Sequence, residues 1–274
     1  MDTMTDTAAA PLVLTTIDEQ NIAYVTINRP EKRNALLLDS YSALAKAFRE
    51  LRKNRSVRAV VLAGAGESFC SGMDTSVFTG SSPATTLRRL LATVTTANFF
   101  QAPMWEMRKL PVPVIAVVKG HCYGGGLQIA LAADFRIADS TAEFSVLETR
   151  FGIIPDLTAS LTLPELVRAD VAKRLVMTGE FVKADQALQL GLITELVDDP
   201  HASALELAQV IASRSPDAVA MAKRLYQGVW NHGARISLLA ERLLQVPLLA
   251  GKSFRIATKA YAEKTTPKFP PRSW

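Results

Sequence analysis

The distribution of hydrophobic and polar positions predicts strands and helices in alternation. Residues 12–17 and 22–27 alternate between apolar and polar side chains on either side of a short polar segment, which predicts a β-hairpin. Residues 39–53 carry apolar side chains at helical spacing, and Asp39 or Ser40 is in position to cap the start of the helix. This part of the chain therefore predicts a hairpin followed by an amphipathic helix.

Two later stretches predict strands that are buried on both faces of a sheet. Residues 112–118 form an almost unbroken run of apolar, mostly β-branched side chains, and residues 57–63 are similarly apolar. The Ala- and Leu-rich residues 127–133 predict a helix directly after the second stretch. Further short strands are predicted at residues 134–138, 143–146 and 192–197. Because only helices follow after about residue 200, the pattern predicts an α/β core with a helical C-terminal part.

Each of the two buried strands leads into a loop that contains glycine. The loop after the second strand contains Gly124, Gly125 and Gly126, and the loop after the first spans residues 64–74. Glycines at a strand-to-helix turn let a ligand approach main-chain N–H groups at the positive end of the helix. The loops are therefore candidates for holding an anion, or an oxygen that becomes one. Close packing of helix against strand is the alternative, and the spacing matches no nucleotide-binding fingerprint.

The composition limits the classes of partner. At 274 residues, with 49% hydrophobic and 21% charged side chains, the chain can bury a large core. Lys and Arg number 31 against 26 Asp and Glu, which suits a phosphate-bearing ligand, but the basic residues are scattered and no aromatic-interleaved patch indicates nucleic acid. The longest apolar runs are much too short to span a bilayer. Neither nucleic acid nor a membrane is predicted as a partner.

Cysteine and histidine usage argues against a metal centre. The chain has two cysteines, Cys70 and Cys122, and three histidines, and no pair has zinc-ligand spacing. Free thiols in a reducing compartment are expected, so the predicted location is cytoplasmic. Residues 1–10 carry acidic side chains and no apolar core, which predicts a disordered N-terminus rather than a targeting peptide.

Several short motifs follow one another in a characteristic order. They are Asn28-Arg29-Pro30 with Asn34-Ala35-Leu36, Phe69-Cys70-Ser71-Gly72-Met73-Asp74, Gly124-Gly125-Gly126, Ala142-Glu143-Phe144 with Glu148 and Gly152, Thr178-Gly179 with Gly191-Leu192, and Glu263-Lys264 with Phe269. In combination they resemble the crotonase family, also called the enoyl-CoA hydratase/isomerase family, over roughly residues 12–269. The resemblance implies an α/β fold with a spiral core of ββα repeats.

The resemblance also implies how the chain is organised and what it binds. It places the spiral core at residues 11–200 and a helical trimerisation region at residues 201–274, and it implies a homotrimer or a dimer of trimers. The implied substrate is an acyl-CoA thioester. Coenzyme A is part of that substrate, and no metal or redox cofactor is implied.

In this family, two backbone N–H groups hold the thioester oxygen, and the matching positions here are Met73 and Gly125. The chemistry requires them because proton transfer beside a thioester passes through an enolate, whose charge lies on that oxygen. Other positions are expected to contact the substrate. They are Arg33, Ala35, Ser71, Asp74, Gly124 and Gln128. Asp74 is also expected to cap the helix that follows the first loop.

The acidic residues bear on the reaction. Family hydratases use two glutamates, and here the first position is Gln128, which cannot act as a general base, whereas the second is Glu148. Asp156 lies eight residues beyond Glu148, and the two together resemble the acid pair of the Δ3,5-Δ2,4-dienoyl-CoA isomerase branch. Two carboxyls that differ in protonation suit a proton shift along a conjugated system. The alternative for Asp156 is an N-cap of a helix predicted at residues 157–167.

The expected function is therefore isomerisation of a double bond in an enoyl- or dienoyl-CoA, with Glu148 and Asp156 as the catalytic acids. Two alternatives remain open. One is an enoyl-CoA hydratase that uses Glu148 alone, and the other is a non-catalytic protein that binds acyl-CoA. The small polar segment within residues 75–100 is either a lid over the pocket or an ordinary surface insertion.

Overall fold

The computed structural model of the protein describes residues 10–77, 97–229 and 251–273, together with a few positions between 239 and 248. The predicted disordered N-terminus, except for residue 10, and most of the possible lid lie outside the described residues. Within them, the predicted α/β fold is confirmed: strands form two sheets, and helices cover them.

The larger sheet is mostly parallel. In spatial order it contains β1 (Val13–Ile17), β2 (Ile22–Ile27), β3 (Ala59–Gly64), β4 (Val114–Val118), β6 (Phe135–Ala138) and β9 (Glu195–Leu196). The first two strands form the predicted antiparallel hairpin, and each later neighbour pairs in parallel. The smaller sheet contains β5 (His121–Tyr123), β7 (Glu143–Ser145) and β8 (Val182–Lys183). Strands β4 and β6 each pass directly into a strand of the smaller sheet, so the chain winds between the two sheets.

The helices follow the strands along the chain. They are α1 (Leu38–Lys53), α2 (Ala102–Arg108), α3 (Gly125–Leu131), α4 (Ala159–Leu166), α5 (Ala169–Thr178), α6 (Ala184–Leu190), α7 (Pro200–Ala212), α8 (Pro216–Val229) and α9 (Lys252–Glu263). Two 3₁₀ turns, Pro30–Lys32 and Glu148–Phe151, lie beside the pocket described below. The predicted helical C-terminal part corresponds to α7, α8 and α9.

The continuous apolar runs in the sequence arise because both faces of the central strands are covered. In β3, Val60 and Leu62 pack into the main core, whereas Val61 and Ala63 pack into a second core on the opposite face. Helix α7 covers this second face with Ala204 and Ala208, among others. Successive side chains of β3 point to opposite faces of the sheet, and both faces are apolar, as the sequence predicted.

The start of α1 differs from the prediction. The helix begins at Leu38, so neither Asp39 nor Ser40 is the capping residue. Instead, Ser40 lies in the first turn, and its hydroxyl accepts a hydrogen bond from the Leu37 N–H at 3.1 Å. The Ser40 side chain thus accepts from the backbone N–H of Leu37, the residue at the N-cap position, as the third helical residue of a capping box does.

The end of the chain returns to the core. The Arg272 side chain is buried and donates hydrogen bonds to the carbonyl oxygens of Arg52 at 2.7 Å and Val57 at 3.3 Å. The C-terminal residues are therefore anchored where α1 leads into β3. Among the described residues, no helix has the combination of length and apolar character that a membrane span needs.

Candidate active site

The first glycine-bearing loop is held beside the segment that precedes α1. The Leu36 N–H donates to the Gly72 carbonyl at 2.8 Å, and the Asp74 N–H donates to the Leu36 carbonyl at 3.0 Å. Met73 lies between these two bonds, paired with Leu36 in a parallel bridge. In the described part of the chain, its own N–H donates no hydrogen bond. The loop therefore presents one free amide.

The second loop connects β5 to α3. Gly124 has a φ of +50°, a backbone conformation that favours glycine, and its N–H donates to the Ser145 carbonyl at 2.9 Å. Helix α3 then begins at Gly125, whose N–H has no hydrogen-bond acceptor among the described residues. A Cβ built on Gly72 would lie 3.8 Å from that amide nitrogen, so the two loops meet. The free amides of Met73 and Gly125 are thus in neighbouring loops, and their role as an oxyanion hole stays a prediction.

Close packing fixes the two loops against each other. A Cβ on Gly126 would lie 2.4 Å from the Cys70 carbonyl oxygen, so only glycine fits at this contact. Cys70 is fully buried, and its thiol donates to the Asn34 carbonyl at 3.1 Å. Burial raises the pKa of the Cys70 thiol to about 12, which makes it unsuited to nucleophilic attack. Both explanations considered for the glycines, close packing and backbone access, therefore apply to the same loop.

The two loops border a pocket of about 690 Å³, a volume in the usual range for small-molecule sites. Most of the residues predicted for the site line it. They are Ala35, Ser71, Met73, Asp74, Gly124, Gly125, Glu148 and Asp156. The structure thus brings together residues from five separate stretches of the sequence.

Glu148 is the most buried carboxylate of this pocket. It begins the 3₁₀ turn that follows β7 and is 8% exposed. Its Oε1 accepts a hydrogen bond from Gln128 Nε2 at 2.6 Å, whereas its Oε2 has no hydrogen-bond partner in the described protein. Burial raises the pKa of Glu148, and the nearby Asp156 raises it further. A carboxylate with a raised pKa and one free oxygen is suited to accept and return a proton.

Gln128 is held in one orientation by two partners. The Leu157 N–H can only donate, so the amide oxygen of Gln128 faces it and accepts at 2.8 Å. The amide NH₂ must then face Glu148. Gln128 does not itself line the pocket but supports the carboxylate that does.

Asp156 lies in the segment between the 3₁₀ turn and α4, and its side chain faces the pocket. Its backbone carbonyl accepts a hydrogen bond from Gln101 Nε2 at 3.0 Å. The residue as a whole is exposed, but the walls of the pocket partly desolvate its carboxyl and raise the pKa of that group. Asp156 is not a helix cap, because α4 begins at Ala159 and Thr158 occupies the capping position. The predicted helix over residues 157–167 thus starts two residues late, and the alternative role for Asp156 is wrong.

Other predicted site residues have partners within the protein. Asp74 accepts from the Ser76 N–H at 2.9 Å and forms an ion pair with Arg29, which lowers the pKa of its carboxyl. Asp74 therefore holds the first loop in place. Arg33 does not line the pocket, and its guanidinium instead lies 3.3 Å from His121 Nε2.

The described residues contain no group of three or more His, Cys, Asp or Glu side chains arranged to hold a metal ion. The pocket is lined by carboxylates, backbone amides, the Lys32 side chain and three residues that carry hydroxyls. Those three are Tyr41, Ser71 and Thr75, and the sequence analysis did not single out Tyr41. The signal was present: Tyr41 is a polar aromatic residue on the otherwise apolar face of α1, beside Leu44, Phe48 and Leu51.

Comparison with known proteins shows the family to which the chain belongs. A family model described as enoyl-CoA hydratase/isomerase matches residues 18–272. The chain belongs to this family. The resemblance noted in the sequence is thus confirmed, and the chain is an acyl-CoA enzyme of the enoyl-CoA hydratase/isomerase family. The fold expected from the resemblance is confirmed as well: the crystal structure of enoyl-CoA hydratase from Bacillus anthracis matches with a TM-score of 0.89 at 28% identity, covering 96% of this chain and 100% of that one.

Curated relatives are similar over most of the chain. The (E)-benzylidenesuccinyl-CoA hydratase of Thauera aromatica is 33% identical over 252 residues, which cover 91% of this chain and 95% of that protein. The short-chain-enoyl-CoA hydratase of Clostridium acetobutylicum is 36% identical over 212 residues, covering 75% of this chain and 77% of that protein. These names favour hydratases within the enoyl-CoA hydratase/isomerase family, and they do not single out the dienoyl-CoA isomerase branch.

Proposed function

We propose that the pocket isomerises a double bond in an enoyl- or dienoyl-CoA by moving a proton. Glu148 is the principal acid and base, Asp156 is its partner, and the amides of Met73 and Gly125 hold the thioester oxygen. The observation that carries the proposal is the fixed orientation of Gln128. Its amide oxygen points at the Leu157 N–H and Gln128 does not line the pocket, so this oxygen is not placed to hold a water beside the substrate, and a neutral amide cannot take a proton. Of the carboxylates among the described residues that line the pocket, Asp74 is paired with Arg29, which leaves Glu148 and Asp156 as the proton acceptors.

The free amides support the first step. Removal of a proton beside a thioester develops negative charge on the carbonyl oxygen, and preorganised N–H donors stabilise that charge. Each such donor is worth roughly 3 kcal/mol of transition-state stabilisation. Because both donors belong to the backbone, the Met73 side chain does not alter the donor itself. The contacts of Leu36 with Gly72 and Asp74 keep the first donor in position.

The environment of the two carboxyls supports the second step. Glu148 and Asp156 both have raised pKa values, Asp156 through partial desolvation and Glu148 through burial and the neighbouring Asp156 carboxyl. One of them is therefore favoured in its protonated form while the other accepts the proton. This division matches a reaction in which a proton leaves one end of a conjugated system and another is delivered elsewhere.

A second candidate reaction is hydration of a 2-enoyl-CoA with Glu148 as the single essential acid. The names of the relatives favour it, since hydratases of Thauera aromatica and Clostridium acetobutylicum, and a carnitinyl-CoA dehydratase of Salmonella enteritidis, are among them. In that case the free Oε2 of Glu148 holds the attacking water. Gln128 then only positions Glu148.

We propose the same assembly that the family resemblance implies, a homotrimer or a dimer of trimers. Exposed apolar side chains in the implied trimerisation region, residues 201–274, support the proposal. Leu243 is 65% exposed and Phe254 is 46% exposed. Light scattering of the purified protein tests the proposal, and a mass equal to one chain contradicts it.

The reaction is tested by assaying purified protein with a 3,5-dienoyl-CoA and with crotonyl-CoA in parallel. Wild type is compared with Glu148→Gln, Asp156→Asn and the control Glu143→Gln, whose carboxylate lies outside the pocket. We expect wild type to form the conjugated 2,4-diene and both pocket variants to lose that activity.

Two other outcomes of the assay would each support a different function. If only crotonyl-CoA reacts and Asp156→Asn is as active as wild type, the protein is a hydratase that uses Glu148 alone. If neither substrate reacts but both bind, the third possibility, a non-catalytic acyl-CoA-binding protein, replaces the proposal.

A further inference from the structure

The segment that carries Asp156 has little support of its own. Ile153 and Ile154 are 47% and 71% exposed, so burial does not anchor the chain here. Pro155 has no N–H to donate, and the N–H groups of Ile154 and Asp156 donate to no other residue in the described protein. Segments with few buried contacts and few hydrogen bonds open most easily. The contacts that keep Asp156 in the pocket must therefore come from outside the segment.

Two glutamine side chains supply these contacts at a single peptide group. Gln101 Nε2 donates to the Asp156 carbonyl at 3.0 Å. The Leu157 N–H, at the other end of the same peptide bond, donates to Gln128 Oε1 at 2.8 Å. Because a peptide group is planar and rigid, hydrogen bonds at both ends fix its orientation, and the Asp156 Cα lies in the same plane. Gln101 and Gln128 together thus form a glutamine clamp on the peptide that follows Asp156.

Gln101 is itself held in one orientation. Its Oε1 accepts from the Asn98 N–H at 3.1 Å, and Asn98 Oδ1 accepts from the Gln101 N–H at 2.9 Å. Because a backbone N–H can only donate, the amide oxygen of Gln101 faces Asn98 and its NH₂ faces Asp156. The adjacent Phe100 is buried, and its ring packs edge-on against that of Tyr41 in α1, with centroids 5.4 Å apart. This half of the clamp is therefore anchored in the core.

The other half of the clamp reaches the second carboxyl. Gln128 lies in α3 and is 1% exposed, and its Nε2 donates to Glu148 Oε1 at 2.6 Å. Gln128 thus connects the Glu148 carboxylate with the peptide that follows Asp156. Gln101 does not line the pocket, and its contact with the site is the Asp156 carbonyl. Substitution of Gln128 would disturb both carboxyls, whereas substitution of Gln101 would disturb Asp156 alone.

We propose that Gln101 is a positioning residue, which together with Gln128 keeps the Asp156 carboxyl at the place in the pocket where it exchanges a proton with the acyl group. Loss of the Gln101 contact frees one end of the peptide group and lets the carboxyl move away from the reacting carbon. The inference rests on the proposed function, because it requires that Asp156 takes part in the reaction. A lower kcat with unchanged substrate binding follows from it.

Removal of the contact, alone and together with the Asp156 carboxyl, tests the inference. Values of kcat and KM are measured with a 3,5-dienoyl-CoA for wild type, Gln101→Met, Asp156→Asn and the double variant. Gln227→Met is the matched control, since the Gln227 amide donates to Asp134 Oδ1 at 3.3 Å and Gln227 does not line the pocket. Thermal midpoints show whether each variant is folded.

A second variant, Gln101→Glu, separates the contact with Asp156 from the contact with Asn98. At about pH 8, well above the usual pKa of a glutamate, its carboxylate can still accept from the Asn98 N–H. It cannot donate to the Asp156 carbonyl. Gln101→Glu therefore keeps the turn at residues 98–101 and removes one end of the clamp.

We expect Gln101→Met and Gln101→Glu to lower kcat about tenfold to a hundredfold and to leave KM unchanged, since a displacement of roughly 1 Å in a reacting group has an effect of this size. Asp156→Asn should lower kcat at least as much. Adding Gln101→Met to Asp156→Asn should cause no further loss, because no carboxyl is then left to position. Gln227→Met should behave like wild type.

Three results would overturn the inference and leave the proposed function standing. Losses that multiply in the double variant would mean that Gln101 acts by a route other than Asp156. A higher KM with unchanged kcat would give Gln101 a part in substrate binding instead. Wild-type kcat in Gln101→Met or Gln101→Glu, with Asp156→Asn impaired, would show that the contact has no influence. An Asp156→Asn variant as active as wild type would overturn both, which distinguishes the two failures.

Discussion

Two glutamates, Glu143 at the start of β7 and Glu148 in the 3₁₀ turn after it, show how surroundings decide the role of a carboxylate. Tyr123 donates a hydrogen bond to Glu143, and Gln128, five residues further along, donates one to Glu148, itself five residues after Glu143. Both hydrogen bonds therefore link the same two segments of the chain. Glu143 also forms an ion pair with Lys183 at 2.5 Å, and these partners lower its pKa. Among the described residues, the Glu148 carboxylate has only the neutral amide of Gln128 as a hydrogen-bond partner, and burial raises its pKa.

The difference between the two glutamates lies in their partners. A cation and a hydroxyl stabilise the ionised form of Glu143, which therefore stays charged over the physiological range. Burial without a cation raises the pKa of Glu148, and one of its carboxyl oxygens has no hydrogen-bond partner in the described protein. The ion pair of Glu143 connects β7 with β8, whereas the surroundings of Glu148 suit proton transfer. Variants of the two residues should therefore differ in activity and in stability.

The largest expected effect is the loss of activity in Glu148→Gln. Glutamine keeps the shape of the side chain and can still accept from Gln128, but it cannot take a proton. General acid–base groups contribute about 10²–10⁴-fold, so kcat should fall by that factor. Initial rates with the substrate identified in the paired assay measure it. Glu143→Gln serves as the matched control and should retain wild-type rates.

A smaller loss in Glu148→Gln than in Glu143→Gln would reverse the roles assigned to the two carboxylates. Equal and nearly complete loss in both variants would indicate damage to the fold, which circular dichroism detects. Only a selective loss in Glu148→Gln supports the comparison.

A moderate effect is expected when the neutral partner of Glu148 becomes acidic. In Gln128→Glu, two carboxyls face each other at the place where amide and carboxylate are now 2.6 Å apart. Like charge raises the pKa of the pair, so the base form appears at higher pH. The acidic limb of the pH profile of kcat/KM should therefore move to higher pH.

The same variant tests why Gln128 matters for the reaction. A second carboxyl supplies a general base for water, which the neutral amide of Gln128 cannot be, so hydration of crotonyl-CoA should appear or increase. Gln128→Met is the control, because it removes the amide without adding an acceptor, and it should gain no hydration. Hydration that is equally strong in wild type and Gln128→Glu would remove the main argument for isomerisation.

The sequence was sufficient for the parts of the molecule that depend on repeated or local patterns. The strand at Val114–Val118 is apolar on both faces, and the glycines after it are required by contacts as close as that of Gly126 with Cys70. Glu148 was found because it follows a recognisable strand and motif. These features depend on residue types at fixed spacing, which a sequence displays directly.

The remaining features depend on contacts between distant positions. The orientation of Gln128 is set by the N–H of Leu157, 29 residues away, and no local pattern indicates that bond. Asp156 was a possible cap until α4 was found to begin at Ala159. Tyr41 lies in the core, and helical spacing does not reveal that its hydroxyl lacks a hydrogen-bond partner in the described protein.

The smallest expected effect is on stability, where the two glutamate variants should change with pH in opposite directions. Glu143 has a lowered pKa when folded, so ionised Glu143 stabilises the fold above its unfolded pKa of about 4.5, and this contribution is lost as pH falls through the folded value. Lys183 is 70% exposed, so solvent screening limits the pair to at most about 1 kcal/mol. Glu143→Gln should therefore be slightly less stable than wild type at pH 7, and the difference should disappear in acid.

Glu148 has a raised pKa when folded, so its ionised form destabilises the fold at neutral pH. Glu148→Gln should be as stable as wild type or more stable at pH 7. Its advantage should shrink as pH falls through the raised pKa toward 4.5, where wild type also carries a neutral side chain. Urea unfolding of the three proteins between pH 4 and 8 measures both trends. Opposite signs at pH 7 are expected because one carboxylate is compensated by a cation and the other is not, and equal signs would show that burial of Glu148 has no energetic consequence.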